Sequence, residues 1–189
     1  LQGDYWIEER MMLHATAWRG QQLLAQGEAL NDVVVGKRAQ VRVVRLEVCV
    51  DDDPLTTYVA DGLIIATPTG STAYALAAGG PIMPPQQRNI LLVPVAPHMS
   101  LDRAVVLAEG VRVQVALRGH LPAALTLDGE TTLELTPGDV VRVGAGPHIA
   151  RFARVRDRDY FYRTLMARLV PREPGPGSVS YTHLRAHET

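Results

Sequence analysis

Short runs of apolar residues, each bounded by turn-forming residues, recur along most of this chain. The run at 63–66 is unbroken and too short for a helix, so it predicts a buried strand. The run at 90–95 predicts another, whereas the clean alternation at 111–117 predicts a half-exposed antiparallel strand. Further strands are predicted at 5–16 (with a charged outer face), 29–35, 40–50, 56–59, 124–127, 131–135, 140–143 and 149–155.

Turn residues separate these runs at close spacing. The Asp-Gly pair at 128–129 lies between two apolar runs and is a strong β-hairpin signal. Residues 51–54 and 136–139 predict two more turns. The alternation in the strand at 40–50 slips at Val44, which predicts a bulge or a twist there.

Two helices are predicted. The first follows Gly70, with Ser71 or Thr72 as its N-cap, and 79–81 (Gly-Gly-Pro) stop it. The second begins at an Asp157 cap and runs to about residue 170, with one apolar stripe formed by Phe161, Leu165, Met166 and Leu169.

Short strands with turns at intervals of ~8–12 residues indicate a sandwich or a barrel, not alternating β-α units. We therefore predict a mainly-β, sandwich-like domain over 1–170, with one internal and one C-terminal helix. Residues 171–178 read as a Pro/Gly-rich linker. Residues 179–189 look like a translated sequencing-library adapter and are excluded from the fold.

Composition narrows the function classes. The 189 residues are 47% hydrophobic and 21% charged, a globular balance. The net charge of −1 argues against a nucleic-acid or membrane-surface protein, and no apolar stretch approaches the ~18 residues of a membrane span. One cysteine, Cys49, excludes an internal disulfide and fits a cytoplasmic location. Outside the tail at 179–189, no two histidines have metal-ligand spacing, so we expect no metal site.

The strand at 63–66 runs into 67–74, which reads Thr-Pro-Thr-Gly-Ser-Thr-Ala-Tyr. Free N–H groups and hydroxyls at a helix N-terminus, beside the ring of Tyr74, would suit a nucleotide or another anion. A tight strand-to-helix connection that binds nothing explains these residues equally well.

Three other polar positions have two interpretations each. Asn31 and Asp32 precede a predicted strand. They form either a turn before that strand or part of a ligand site. The three aspartates at 51–53 suit a solvated hairpin tip better than a cation site. His98 is either a pocket wall or a structural loop residue.

The segment 61–82 resembles the signature of the NAD kinase family, including Asp-Gly-x-Ile, Thr-Pro-Thr-Gly-Ser-Thr-Ala-Tyr and Ala-Gly-Gly-Pro. The resemblance extends from about Tyr5 to Leu169 and implies the β-rich C-terminal domain of that family. The whole enzyme would transfer a phosphoryl group from ATP or polyphosphate to the adenosine ribose 2′-hydroxyl of NAD. Mg²⁺ or another divalent cation would accompany ATP, and the enzyme would be a dimer or tetramer.

The resemblance also implies roles for individual residues. Asn31 and Asp32 match the family's Asn-Glu/Asp motif, with Asn31 at the adenine end and Asp32 on a ribose diol. Tyr74 would stack on a flat ring, and Asp61 would contact the nicotinamide carboxamide, in a site that a neighbouring subunit can share. Further NAD-contacting positions implied are Thr72 and Ala73 in the adenine pocket, Arg42, Ala77, Thr69 and Glu130.

This chain departs from the family pattern at several places. Ala77 replaces a common serine, Val59 a common basic residue, and Glu130 the usual glutamine. The Gly-Gly-Asp-Gly motif, which carries the aspartate taken to activate the 2′-hydroxyl, is absent. We expect that motif in an N-terminal α/β domain missing from this chain. The chain should therefore supply the acceptor site, contain no catalytic residue and be inactive by itself.

Two other function classes remain open. A lipid kinase of the diacylglycerol or sphingosine type shares the general architecture, but it would need an exposed apolar groove. A non-catalytic β-sandwich that binds nucleotides would explain the missing motif without a further domain.

Overall fold

The computed structural model describes residues 5–38, 42–98, 101–155 and 160–169. The chain divides into two compact units, Leu1–Val155 and Arg156–Thr189. In the described part of the first unit the strands are β1 (Trp6–Arg19), β2 (Gln22–Ala29), β3 (Asp32–Lys37), β4 (Val44–Val50), β5 (Asp53–Ala60), β6 (Gly62–Ala66), β7 (Ile90–Val95), β8 (Val105–Leu107), β9 (Val113–Arg118), β10 (Ala123–Leu127), β11 (Glu130–Leu135) and β12 (Val140–Arg154). One short helix, α1 (Tyr74–Ala77), follows a 3-10 turn at Gly70–Thr72.

These strands form two six-stranded sheets. The first has the order β2-β1-β12-β9-β4-β5, and the second the order β11-β10-β3-β6-β7-β8. Every pairing is antiparallel. The predicted mainly-β sandwich is confirmed. Strand β1 pairs with β12 from Trp6, which lies opposite Arg154, to Trp18, with one interruption.

The main core contains alternate residues from both sheets. Leu13 and Leu46 come from the first sheet, and Leu63 and Ile65 of β6 come from the second. The intervening residues of β6, Ile64 among them, form a second apolar cluster with Ala75 and Met83. Both faces of β6 are therefore covered, which explains why its predicted apolar run has no polar interruption.

Some strand predictions were incomplete. The predicted strands at 140–143 and 149–155 are one strand, β12, whose pairing with β1 is interrupted between Met11 and Leu13. The strand predicted from residue 40 begins at Val44, and its irregularity falls between Val48 and Cys49, where β4 pairs with β5. Strands β2 and β8 were not predicted, because the apolar residues of β2 are interrupted by polar ones and β8 is only three residues long.

The prediction of a charged outer face for β1 was wrong at two positions. Glu8 and Arg10 are 2% and 6% exposed, whereas the apolar Ile7 between Trp6 and Glu8 is 48% exposed. The charges face inward because they pair with one another, as described below.

The second unit contains helix α2 (Tyr160–Leu169), which confirms the predicted C-terminal helix. The rings of Phe161 and Tyr162 meet edge to face, with centroids 5.2 Å apart. The predicted Asp157 cap and the tail 171–189 lie outside the described residues. Neither helix of the described chain has the length and hydropathy that crossing a membrane requires.

Candidate functional site

The two sequence motifs meet backbone to backbone. Strands β3 and β6 are neighbours, and Asp32 pairs with Ala66, so Asn31 and Thr67 come together where the two strands meet. The backbone N–H of Thr67 donates to the carbonyl of Asn31 at 2.9 Å, and the Thr67 hydroxyl donates to the carbonyl of Leu30 at 2.6 Å. The contact is so close that a Cβ on Gly70 would lie 2.0 Å from the Asn31 oxygen. Only glycine fits at position 70.

The loop after β6 is held by hydroxyl groups. The Thr67 hydroxyl oxygen accepts the Gly70 N–H at 3.0 Å. The Ser71 hydroxyl donates to the Pro68 carbonyl at 2.6 Å and accepts the Met83 N–H at 3.0 Å. Thr67 and Ser71 are fully buried. These bonds satisfy backbone groups that the irregular loop leaves without sheet partners.

The predicted helix cap was wrong. The helical segment is one 3-10 turn followed by the four residues of α1, and neither has a side-chain cap. Ser71 is used as described above, and the Thr72 hydroxyl donates back to the Thr69 carbonyl. The N–H groups of Gly70, Ser71 and Ala73 all bond within the loop. These three N–H groups are therefore already bonded within the loop, which favours the tight strand-to-helix connection over an anion site built from them.

Asp32 carries a buried carboxyl group at the junction. The residue is 5% exposed, and burial, followed by the negative charge of Asp128, raises the pKa of its carboxyl. Among the described residues no group donates a hydrogen bond to this carboxylate, and its oxygens are not fully enclosed. A largely buried carboxylate that no described group satisfies, and whose oxygens remain reachable, can accept hydrogen bonds from a ligand.

A groove of about 270 Å³ lies on the outer face of the second sheet. Val34 and Gly36 of β3 contribute to its floor, two and four residues along the strand from Asp32, so Asp32 shares this face. Tyr74 also lines the groove and is 46% exposed. Its full lining is Val34, Gly36, Lys37, Asp61, Gly62, Tyr74, Val95, Ala124 and Thr126.

A wider cleft of about 700 Å³ adjoins the groove through Lys37 and Asp61, which line both. The Lys37 Nζ and an Asp61 carboxylate oxygen form an ion pair at 2.7 Å. The exposed Arg42 leaves the cleft with a net positive charge, which favours phosphate groups. Its remaining lining residues are Val43, His98, His120 and Leu121.

His98 has both of the roles considered from sequence. Its side chain lines the cleft, and its backbone N–H donates to the Val59 carbonyl at 2.7 Å. The aspartates at 51–53 form a hairpin tip, and Asp51 and Asp52 adopt the left-handed conformation. The described residues contain no group of three or more His, Cys, Asp or Glu side chains arranged to hold a metal ion.

The other predicted site residues are placed less centrally. Thr72, Ala73 and Ala77 are exposed on the helical segment beside Tyr74, and Glu130 is exposed at the start of β11. None of these four lines a described cavity. Thr69 is half-buried, and its hydroxyl accepts a hydrogen bond from Arg10 Nη1 at 3.1 Å.

Sequence reasoning missed the support beneath Thr69. Glu8 accepts a bond from Arg10 at 2.7 Å, from Arg154 at 2.6 Å and from the Gln86 amide at 2.9 Å. Arg10 also lies over the ring of Phe152, with 5.8 Å between the guanidinium carbon and the ring centroid. The sequence feature that could have indicated this pair is the Glu-x-Arg spacing, because residues two apart on a strand lie on the same face.

Substituting Tyr74 separates a ligand contact from a core role. Because the side chain is half exposed, Tyr74→Ala should leave the melting temperature almost unchanged. Loss of a stacking surface worth on the order of 0.5–1.5 kcal/mol should weaken NAD binding roughly two- to twelvefold. Tyr74→Phe should bind normally, and Tyr5→Ala, another exposed tyrosine, is the control. Calorimetric titration and thermal melts provide both readings, and a strongly destabilised Tyr74→Ala that still binds NAD normally would contradict this assignment.

Sequence comparison identifies a family and named relatives. The family described as the ATP-NAD kinase C-terminal domain matches residues 30–155. The NAD kinase of Chloroflexus aurantiacus is 46% identical over 169 residues, 89% of this chain and 61% of the relative. That of Geobacter metallireducens is 44% identical over 162 residues, 85% of this chain and 57% of the relative. The chain thus spans roughly three fifths of the length of these curated relatives.

Solved structures share the fold. Yeast NADH kinase in complex with NADH superposes with a TM-score of 0.80 at 23% identity, covering 91% of this chain and 51% of that one. The NAD kinase of Archaeoglobus fulgidus in complex with ATP gives 0.69 at 22% identity, covering 86% and 60%. At these identities the likeness establishes the sandwich architecture alone.

Proposed function

This chain belongs to the NAD kinase family, and from that membership we propose that its β-sandwich forms the site that holds NAD as phosphoryl acceptor. The observation that carries the proposal is the junction of the two motifs. Asn31 and the loop from Thr67 to Gly70 are held together by backbone contacts, and the buried Asp32 carboxylate beside them has no hydrogen-bond donor among the residues that the structure describes. Two ribose hydroxyls can supply the hydrogen bonds that this carboxylate lacks.

The remaining cavity residues suit the rest of a dinucleotide. Tyr74 offers a ring face for stacking along the groove. Lys37 and Arg42 supply positive charge for phosphate, and Asp61 offers an acceptor to the amide N–H of the nicotinamide carboxamide. The charged lining disfavours a lipid substrate, and the relatives named above are NAD or NADH kinases, which gives the lipid-kinase alternative no support.

The reaction belongs to the whole protein. The ribose 2′-hydroxyl oxygen forms a bond to the γ-phosphorus of ATP, the bond from that phosphorus to the bridging oxygen breaks, and the hydroxyl proton passes to a base. ATP would enter as its magnesium complex, with polyphosphate as the other possible donor. The chain has no Gly-Gly-Asp-Gly motif to provide the activating aspartate, so its own residues bind and orient the acceptor.

Two properties of the whole protein are also proposed. We expect a dimer or tetramer, because by resemblance the Asp61 end of the site lies next to a neighbouring subunit. We expect a cytoplasmic location, since the single Cys49 forms no internal disulfide.

Titration of NAD into the purified chain, with Asp32→Asn as the variant, tests the acceptor site. Wild type should bind NAD and form no NADP when magnesium and ATP are added. Asp32→Asn should bind more weakly by roughly 1.5–3 kcal/mol, about ten- to 150-fold. Its stability should not fall at neutral pH, because a carboxyl group whose folded-state pKa is raised disfavours its ionised form in the fold.

The controls separate the possible failures. Asp53→Asn, an exposed hairpin aspartate, should bind NAD as wild type does. Unchanged NAD affinity in Asp32→Asn would show that Asp32 does not contact NAD. NADP formation by the chain alone would contradict the claim that catalysis needs another domain.

A further inference from the structure

Asp128, at the tip of the β10–β11 hairpin, is bound to the acceptor segment by three hydrogen bonds. Its Oδ2 accepts the Leu30 N–H at 2.7 Å, and its Oδ1 accepts the N–H groups of Asn31 at 2.7 Å and Asp32 at 3.0 Å. We propose that Asp128 is a positioning residue, which holds residues 30–32 in the geometry that binds the nucleotide. This inference rests on the acceptor site proposed above and assigns it a further determinant.

The hairpin itself is attached to the same segment. The Asp128 N–H donates to the Asp32 carbonyl at 2.9 Å, and Leu127 pairs with Val33 of β3. Asp128 and Gly129 have φ angles of 49° and 86°, which the two-residue turn between Leu127 and Glu130 requires. The backbone that carries the Asp128 carboxylate is therefore fixed by the turn.

Both sides of the Asn31 peptide backbone are occupied as a result. Its N–H donates to Asp128 and its carbonyl accepts from Thr67. The backbone of Asn31 is held between the hairpin tip and the loop after β6, against which Gly70 packs. With the backbone fixed in this way, the side chains of Asn31 and Asp32 leave it in defined directions.

A carboxylate is the side chain that this position requires. Three neighbouring N–H groups need acceptors only, and an ionised carboxylate has two oxygens and no donor. Asparagine suits a turn of this type equally well, but its amide NH₂ would face the Leu30 N–H. Burial, followed by the negative charge of Asp128, raises the pKa of the nearby Asp32 carboxyl, so Asp128 influences this segment by its charge as well as by its three hydrogen bonds.

The chain provides a matched control in Asp51. It lies in the β4–β5 turn, has the same φ of 49°, and its N–H donates to the Arg112 carbonyl at 2.9 Å. Its carboxylate accepts the Arg112 N–H at 2.8 Å, so both aspartates tie a hairpin tip to another strand or loop. Asp51 lines none of the described cavities.

The test compares Asp128→Asn, Asp128→Ala and Asp51→Asn in the whole chain. Amide hydrogen exchange measures the order of residues 30–32, and calorimetric titration measures NAD affinity. Asp128→Asn should accelerate exchange of the Leu30, Asn31 and Asp32 amides and weaken NAD binding, each roughly tenfold or more. Asp128→Ala should increase both effects. If that variant fails to fold, the result for Asp128→Asn alone tests the proposal. Asp51→Asn should accelerate exchange at Arg112 and bind NAD normally.

Two results would overturn the inference. One is unchanged exchange at residues 30–32 in Asp128→Asn, since the bonds would then order nothing. The other is faster exchange with unchanged NAD affinity, since the order would then serve only the fold. Failure of wild type to bind NAD would instead refute the acceptor site, whereas the exchange rates would still decide whether Asp128 orders the segment.

Discussion

Gly70→Ala is expected to destabilise the fold and to abolish NAD binding together. The added Cβ would lie 2.0 Å from the Asn31 oxygen and 2.5 Å from its carbonyl carbon, and backbone atoms cannot rotate away as a flexible side chain can. Relief requires Asn31 and the loop to separate, which breaks the 2.9 Å bond from the Thr67 N–H. We expect the free energy of unfolding to fall by about 3 kcal/mol, the upper end of the range for overpacked cores, and the melting temperature to fall by roughly 6–12 °C.

Gly144→Ala is the matched control for this clash. Position 144 also lies within the sandwich, but a Cβ there would be 3.6 Å from its nearest neighbour, an ordinary contact. Its melting temperature should change little, and its NAD affinity should equal that of wild type. Thermal melts and NAD titration of the two variants make the comparison. A Gly70→Ala protein with wild-type stability and affinity would show that the junction tolerates separation and that its closeness is incidental.

Glu8→Ala is expected to cost more stability than any exposed ion pair in the protein. The carboxylate of Glu8 pairs with Arg10 at 2.7 Å and Arg154 at 2.6 Å, and Glu8 and Arg10 are almost fully buried. Removing one partner leaves a buried guanidinium uncompensated, which costs about 3–5 kcal/mol. Urea unfolding of wild type and variant measures this difference. Arg10 also supports Thr69, so NAD affinity should fall as well.

Two variants give the control for the Glu8 experiment. Glu47→Ala removes an ion pair with Arg118 of similar length, 2.8 Å, in which both side chains are nearly half exposed, and it should change the stability little because solvent screens the pair. Glu8→Leu combined with Arg10→Met replaces the pair by apolar groups and should recover most of the stability. Equal losses in Glu8→Ala and Glu47→Ala would show that burial does not strengthen the pair.

The same network predicts a pH dependence. Burial alone raises the pKa of Glu8, but hydrogen bonds and charges from Arg10 and Arg154 outweigh it and lower the pKa overall. A carboxyl group with a lowered folded-state pKa contributes stability above its unfolded pKa and loses it as pH falls through the folded value. The stability difference between wild type and Glu8→Ala should therefore shrink in acid, below the ordinary glutamate range.

Much of the sandwich followed from local pattern. The unbroken run of β6 and the Asp-Gly signal at 128–129 were read correctly because each depends on neighbouring residues alone. The inward charges of β1 were not, because the burial of Glu8 depends on its pairing with Arg154, which is distant in sequence although its strand is the neighbour of β1. Pairing between distant strands is not encoded in the alternation of a single strand.

The site shows the same division. Motifs located Asn31, Asp32 and the segment 67–74, and the structure brings them together. The side-chain cap expected for the helix after Gly70 was wrong, because the Ser71 and Thr72 hydroxyls donate to the carbonyls of Pro68 and Thr69 instead. Asp128 was read only as a turn residue, since nothing adjacent in sequence indicates that its carboxylate reaches Leu30.

The register of β1 against β12 has a topological consequence. Since Trp6 is paired with Arg154, the chain enters and leaves the sandwich at one corner. The two ends of such a fold are separated by little more than the spacing between neighbouring strands, about 5 Å. A sandwich of this kind can be inserted into a surface loop of another domain without parting that domain's two halves, and its ends can be joined by a short linker.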